Sequence, residues 1–360
     1  MNTLDELVHY CKEKDPVGAL LFTGSWGSGK THFIDNDLEE ALGPDYAIVR
    51  VSLFGVTNIT SLQQTIRKKW ITVCYPFVNK MREKKELAQK NSGLLNLISA
   101  LIKKLNPVVG STAEIINSMN VMDTLHVEPE FEDWETFKKR RAILVFDDLE
   151  RCNIPITELL GAVNEACENR GFNTIVVTNL KYLMKNIRND DALFHMLKGK
   201  AISQTVLYQP DYAKVIHQII LEKEWRTDEY REYLIDREGL IYEAFAYEPE
   251  DKAYEKSYNL LTLITTLKSF YRVYYHLNKN GIENIDDFLY SFIAYSFCNN
   301  NGITRDDKTS FEFTEEEIRI LYPQYNPEFM LSSLKNWIIK GDFDEEAFYS
   351  ELEEYKEKNK

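Results

Sequence analysis

Short apolar runs separated by helical patterns dominate the first 210 residues of the chain. The run at 142–146 is continuous and apolar, which is typical of a strand that helices bury on both faces. Helical patterns at 59–70 and 156–168 alternate with these runs, so the pattern predicts an α/β fold with a mainly parallel sheet. The predicted strands cover residues 18–23, 46–53, 142–148, 173–179 and 201–207.

The pattern changes after Pro210 and Asp211, which mark a predicted boundary between an α/β domain at 1–210 and a helical domain at 211–360. Aromatic side chains recur at helical spacing in the second part, and such stripes usually belong to a core. We expect a core role for Phe270, Tyr271, Tyr274, Tyr275, Phe288, Tyr290, Phe292, Tyr295 and Phe297. An acidic helical pattern closes the chain at 342–360, and we expect it to fray into solvent or dock on a partner.

A helical insertion is predicted at about 75–135, because the chain between the second and third strands is longer than one helical connection requires. Its segment 94–105 has one apolar helical face but only 12 residues, whereas a membrane-spanning helix needs about 20. No transmembrane span is therefore expected. The apolar face suits packing on a neighbouring helix at 113–122, on another protein, or on a membrane surface.

Composition favours a soluble cytoplasmic protein, since 44% of the residues are hydrophobic and no signal peptide precedes the first strand. Five scattered cysteines form no C-x-x-C pair, so we expect reduced thiols and no metal site built on them. The net charge of −14 argues against broad nucleic-acid binding, which needs clustered Lys and Arg.

The strongest chemical motif follows the first predicted strand and fits the phosphate-binding P-loop pattern G-x-x-x-x-G-K-[ST] at every fixed position. Its glycines let successive backbone N–H groups turn inward around an anion, and Lys30 would reach the β and γ phosphates. The Thr31 hydroxyl would ligate Mg²⁺. The predicted nucleotide-binding residues are Gly24, Ser25, Trp26, Gly27, Ser28, Gly29, Lys30, Thr31 and His32.

The strand at 142–148 ends in two carboxylates, as a Walker B strand does. Ligands of open α/β sheets bind at the carboxyl ends of the strands, so Asp147 is the candidate for holding Mg²⁺ through the water shell of the ion. Either Asp148 or Glu150 would position the attacking water, and the sequence leaves that choice open. A simpler alternative is that these acids cap the following helix.

The strand at 173–179 ends in Thr178 and Asn179, and we expect this end to lie beside the Walker B edge. Either side chain could hydrogen-bond the γ phosphate or the attacking water, a role called sensor 1, and Asn179 is the favoured candidate. The alternative is that Asn179 only caps the next turn.

This P-loop, the sequence DDLERC at 147–152 and the strand ending in Thr178 and Asn179 together resemble the KAP family of P-loop NTPases. The family typically has D-D-L-D-R, so Glu150 replaces an aspartate, which keeps the charge but lengthens the side chain. The resemblance implies a three-layer P-loop NTPase sandwich in which another strand separates the Walker B and P-loop strands. It covers about residues 1–210.

The same resemblance bears on basic residues elsewhere in the chain. Thr265 stands where the family often has an arginine, which leaves Lys268 or Arg272 as weak candidates for a second sensor. Sites of this class are often completed by an arginine from another copy, and the candidates for that role are Arg151, Arg170 and Arg188.

The resemblance implies an ATPase that uses ATP and Mg²⁺ and acts as a switch on a separate partner protein. It further suggests a homo-oligomer or hetero-complex and a bacterial antiphage-defence setting. The alternatives are a nucleotide-binding scaffold with negligible hydrolysis and a nucleic-acid-remodelling ATPase, of which the second conflicts with the charge.

Overall fold

The computed structural model describes residues 2–74, 140–169, 171–186, 199–248, 254–256, 258–300, 303–305 and 313–359. Two compact units make up the chain. The first comprises Met1–Gly24 and Lys30–Tyr208, and the second comprises Ser25–Gly29 and Gln209–Lys360. The predicted insertion, including its segment 94–105, lies outside the described residues.

A five-stranded parallel sheet forms the centre of the first unit, in the order β2-β3-β4-β1-β5. The strands are β1 (Ala19–Thr23), β2 (Tyr46–Ser52), β3 (Arg141–Asp147), β4 (Thr174–Thr178) and β5 (Ile202–Leu207). All five predicted strands are present, and their bounds differ from the prediction by one residue at most at each end. Strand β4 separates the Walker B strand β3 from the P-loop strand β1, as the resemblance implies.

Helices cover both faces of this sheet. They are α1 (Thr3–Lys12), α2 (Lys30–Phe33), α3 (Glu39–Leu42), α4 (Ile59–Cys74), α5 (Ile156–Asn164) and α6 (Leu180–Asn186). Alternate residues of β3 enter different cores: Ile143 and Val145 pack with α1 to α3, whereas Leu144 and Phe146 pack with α4 to α6. A strand buried on both faces must be apolar throughout, which explains the continuous run. The predicted three-layer α/β sandwich is confirmed.

A π-helical turn, Ile34–Leu38, connects α2 to α3. Such a turn shifts the side chains that follow it relative to a regular helix, and π-turns are frequent at functional sites. Here the turn carries Asp35, which lies four residues beyond Thr31 and therefore near the same face of the helical run.

The second unit is mainly helical, as predicted. Its helices are α7 (Tyr212–Glu222), α8 (Asp228–Asp236), α9 (Glu238–Ala246), α10 (Leu260–Lys279), α11 (Ile285–Asn299), α12 (Glu315–Leu321), α13 (Ser332–Lys340) and α14 (Glu345–Lys358). A short antiparallel pair, Tyr254–Lys256 with Ile303–Arg305, accompanies them. Most of the predicted aromatic residues are buried in its core, but Tyr275 is 50% exposed because it lies on the outer face of α10.

The prediction that the acidic end frays into solvent is wrong, and its alternative, docking on a partner, stays a prediction. Helix α14 buries Phe348, Leu352 and Tyr355 in the core of its own unit. These residues recur at the spacing of one helical face, so the charged residues between them face outward.

Within the described residues, no helix combines the length and the apolar character that crossing a bilayer requires.

Candidate nucleotide-binding site

The carboxyl ends of the parallel strands bring the predicted acidic residues of the first unit to one edge of the sheet. Thr23 pairs in register with Thr178, and Ser52 pairs with Asp147. The strand β4 lies between β1 and β3, so the end of the P-loop strand and the Walker B carboxylates face the same side of the sheet. This is the edge at which α/β sheets bind ligands.

Thr31 and Asp147 are in direct contact. The Thr31 hydroxyl donates to Asp147 Oδ2 over 3.0 Å, and the backbone N–H of Asp148 donates to Asp147 Oδ1 over 3.0 Å. Burial raises the pKa of Asp147, and Asp148 adds to the rise, whereas the hydrogen bond from Thr31 and the charge of Arg50 lower it. Asp147 is therefore a buried carboxylate that needs positive charge nearby.

Lys30 is buried at the start of α2, and its Nζ donates to the carbonyl oxygen of Gly24 over 2.9 Å. Burial lowers the pKa of Lys30, while the negative charges of Glu150, Asp147 and Asp148 raise it. The ammonium thus lies in the field of all three predicted site carboxylates. A cation held there suits the binding of phosphate oxygens.

Asp148 has φ of 60° and ψ of 42°, the left-handed conformation that residues with a β-carbon rarely adopt. This geometry turns the chain into the short 3-10 turn Leu149–Arg151. The Asp148 carboxylate accepts a hydrogen bond from the Ser52 hydroxyl over 2.9 Å. Strained backbone of this kind is typical of functional sites.

Glu150 accepts a hydrogen bond from the Thr178 hydroxyl over 2.9 Å. Each of the two candidate carboxylates for positioning water is thus held by a hydroxyl from a neighbouring strand. Asn179 uses its side-chain oxygen to accept from the backbone N–H of Tyr182 over 3.2 Å, which is the capping geometry named as the alternative. Thr178 is the member of the pair whose side chain contacts the acidic cluster.

The P-loop segment Ser25–Gly29 belongs to the second unit. Gly27 and Gly29 have φ of 66° and 91°, which only glycine adopts without strain. The Gly27 carbonyl accepts from the backbone N–H of Leu260 over 2.9 Å, and a β-carbon at Gly27 would lie 2.1 Å from Asn259 Oδ1. The loop therefore packs tightly against the start of α10.

Four further residues of the predicted nucleotide-binding set have the following surroundings. The Ser28 hydroxyl is buried and has no hydrogen-bond partner among the described residues. Trp26 is half-buried, and His32 is exposed on the first turn of the helix, where its carbonyl accepts from the Asn36 amide over 2.8 Å. A β-carbon at Gly24 would lie 3.0 Å from the Tyr208 carbonyl oxygen.

These residues fit Mg²⁺ and a phosphate chain. Hard oxygen donors, the Thr31 hydroxyl and the Asp147 carboxylate, are the ligand types that Mg²⁺ takes, and the buried Lys30 ammonium suits phosphate oxygens. Within the part of the chain that the structure describes, no three His, Cys, Asp or Glu side chains form a self-sufficient metal cluster. Mg²⁺ beside a nucleotide needs only one or two protein carboxylates, because phosphates supply other ligands.

Sequence reasoning missed three polar residues of this edge: Arg50, Asp35 and Ser52. Arg50 donates to Asp147 Oδ2 over 3.2 Å and to Asp35 Oδ1 over 2.9 Å. The signal that could have found Arg50 is a single charged residue within the otherwise apolar run of β2. Its partners could not be found this way, because they depend on the pairing of β2 with β3.

The basic residues proposed for sensing or completion in trans have different surroundings. Arg151 is exposed and its guanidinium lies 5.9 Å from the centre of the Phe54 ring. Within the second unit, Lys268 is exposed and Arg272 lies 5.0 Å from the centre of the Phe343 ring. Arg170 and Arg188 lie outside the described residues.

A family comparison decides the classification of the chain. The KAP family P-loop domain matches residues 2–279, which is most of the 360-residue sequence. The chain belongs to the KAP family of P-loop NTPases. The KAP match includes the P-loop, the Walker B strand and the helix α10 of the second unit.

Other comparisons add little to the KAP assignment. The chain is similar to Cdc6p from Pyrobaculum aerophilum at 14% identity, covering 99% of this chain and 84% of that one with a TM-score of 0.38. A likeness at that level carries no argument about function. Comparison with curated proteins gives no match.

Proposed function

We propose that this KAP protein binds Mg·ATP, hydrolyses it, and acts as a cytoplasmic switch that assembles with or activates a separate partner protein in bacterial antiphage defence. The NTPase domain would cover residues 1–210 and the helical domain 211–360. One observation carries the nucleotide part of the proposal: the Thr31 hydroxyl is bonded to the buried Asp147 carboxylate at the carboxyl edge of the sheet, beside buried Lys30.

The residues have distinct roles in this proposal. The backbone N–H groups of the P-loop and the Lys30 ammonium hold the phosphates, while Thr31 and Asp147 would hold Mg²⁺. Bound Mg²⁺ supplies positive charge to the phosphate oxygens. Asp148 and Glu150 are the two alternatives for orienting the attacking water, and Asn179 or Thr178 would donate a hydrogen bond at the γ phosphate.

The switch part rests on the second unit. Because Ser25–Gly29 belongs to this unit, phosphate binding would change the loop against which α10 begins. The hydrogen bond from the Leu260 N–H to the Gly27 carbonyl would couple a change in the loop conformation to the position of α10. A ligand shifts conformational populations when it binds one arrangement of such a contact better than another.

Steady-state ATP hydrolysis tests the enzymatic part. We expect turnover in the wild type, and a fall of about 100-fold or more in whichever of Asp148→Asn and Glu150→Gln removes the water-orienting group. Asp342→Asn, an exposed residue of the second unit, is the matched control and should leave turnover unchanged. Binding of ATP by the wild type without turnover would favour the scaffold alternative.

Mass photometry with and without ATP tests the switch part. An ATP-dependent mass increase would support nucleotide-driven assembly if it persists in the variant that lost turnover, Asp148→Asn or Glu150→Gln. It should be absent in a variant that cannot bind ATP, such as Lys30→Met. An unchanged mass with ATP, together with no nucleotide-dependent capture of a partner, would overturn it. Stimulation of hydrolysis by DNA or RNA would instead favour the remodelling alternative.

A further inference from the structure

Arg50 bridges two carboxylates next to the site. It pairs with Asp35 through Nε and Nη2, each at 2.9 Å, and with Asp147 Oδ2 through Nη1 at 3.2 Å. The Arg50 side chain is 29% exposed, whereas the Asp147 side chain is 5% exposed. A planar guanidinium suits this double contact, because its donors point in fixed directions.

Both carboxylate oxygens of Asp147 have hydrogen-bond partners in this arrangement. Its Oδ1 accepts from the Asp148 N–H, and its Oδ2 accepts from both the Thr31 hydroxyl and Arg50. Oδ2 is therefore the oxygen shared by the proposed Mg²⁺ ligand Thr31 and by the guanidinium. A divalent cation at this oxygen would meet the positive charge of Arg50 at close range.

Asp35 is a second carboxylate partner of Arg50. Two nitrogens of the guanidinium pair with Asp35, so Arg50 can release Asp147 and stay charge-paired. The π-helical turn Ile34–Leu38 carries Asp35 on the same helical run as Thr31. The bridge therefore links the P-loop helix to the Walker B strand.

We propose that Arg50 is a positioning residue that supplies the counter-charge of Asp147 while no divalent cation is bound, and that it competes with a cation for Asp147 Oδ2. This inference rests on the proposed function, in which Asp147 helps to hold Mg²⁺. Arg50 keeps the buried carboxylate paired and disfavours binding of the metal without nucleotide. The phosphates of a nucleotide would supply negative charge that offsets the positive charge of the guanidinium, so Thr31 and Asp147 would hold the cation only together with nucleotide.

A Mn²⁺ titration of the nucleotide-free protein, followed by electron paramagnetic resonance, tests this competition. We expect Arg50→Gln to bind Mn²⁺ about tenfold more tightly than the wild type, and Arg50→Gln combined with Asp147→Asn to lose that gain. Arg50→Lys keeps the charge but cannot bridge both carboxylates, so its Mn²⁺ affinity should lie between those of the wild type and Arg50→Gln. Equal or weaker Mn²⁺ binding in both single variants would overturn the inference.

Thermal unfolding separates competition from a purely structural role. Without metal, Arg50→Gln should unfold about 2–4 °C below the wild type, and Mn²⁺ should raise its midpoint more than that of the wild type. Arg237→Gln is the matched control, because Arg237 pairs with Asp286 in the second unit, and its midpoint should show no extra response to Mn²⁺. An equal Mn²⁺ response in Arg50→Gln and Arg237→Gln would mean that Arg50 is only structural.

Failure of the inference and failure of the proposed function give different results. If the wild type binds Mg·ATP but the Arg50 variants gain no Mn²⁺ affinity, the competition alone is wrong. If the wild type binds no ATP, the proposed function is wrong whatever Mn²⁺ does.

Discussion

At the scale of single residues, Asp148 combines two constraints, a left-handed backbone and a carboxylate held by Ser52. Asp148→Ala removes the carboxylate but keeps a β-carbon, whereas Asp148→Gly removes both. We expect the glycine variant to be about 1 kcal/mol more stable than the alanine variant, because glycine adopts positive φ without strain. Urea unfolding measures the difference, and an alanine variant as stable as the glycine variant would show that the backbone is unstrained.

Gly27 is required for a different reason, the close approach of Asn259. Gly27 and Gly281 share a φ of 66°, but a β-carbon at Gly281 would meet nothing within 4 Å. Gly27→Ala should therefore cost more unfolding free energy than Gly281→Ala, by about 1 kcal/mol or more, because the clash adds to the backbone strain. Equal urea midpoints for the two variants would contradict this tight packing.

At the scale of elements, α14 is a structural part of the second unit. Phe348→Ala should destabilise that unit by about 3 kcal/mol, because it leaves a cavity in a buried core. Ile320→Ala, at a position 61% exposed, is the matched control and should cost much less. Similar losses in the two variants, measured by denaturant unfolding, would mean that the helix contributes little to the core.

Helix α10 carries a buried titratable group, His276. Burial lowers the pKa of His276 below its ordinary value, as do Lys279 and Arg272, while Glu345 acts in the opposite direction. Tyr349 Oη lies 2.6 Å from His276 Nδ1. His276 is therefore protonated less readily in the folded protein than in the unfolded chain.

The sign of the pH effect follows from that difference. Stability from this residue is present above the ordinary imidazole pKa of about 6.5 and is lost as the pH falls toward the lowered folded pKa. The drop in unfolding midpoint from about pH 7.5 to about pH 5.5 should be smaller in His276→Gln than in the wild type. An identical drop in both proteins would show that His276 does not contribute.

At the scale of the whole molecule, the elements were predictable and several of their contacts were not. Short runs rich in apolar residues located β1 to β5, and the P-loop spacing located Lys30 and Thr31, because these signals lie within short stretches of sequence. The family resemblance implied only that another strand separates the Walker B strand from the P-loop strand, and the full strand order comes from the folded chain. The bridge from Arg50 to Asp147 and the contact of Gly27 with Asn259 join residues far apart in sequence, so only the folded chain reveals them.

The helical end of the chain shows the same limit. Its charged residues indicated a solvated segment, but Phe348, Leu352 and Tyr355 recur on one face and fill a core that other helices build. The helical spacing of these three residues could be predicted from the sequence, whereas the core on which they pack could not. The capping of α6 by the Asn179 side-chain oxygen likewise depends on the local turn geometry, and the role of Asn179 at the phosphate stays a prediction.

Calorimetric titration with ATP in the presence of Mg²⁺ is the most direct test of the central claim, that the P-loop and Asp147 form a nucleotide site. Lys30→Met keeps most of the side-chain volume but removes the charge, so we expect ATP binding in the wild type and at least about tenfold weaker binding in the variant. A wild type that binds no ATP, or a folded variant that binds it equally well, would contradict the account.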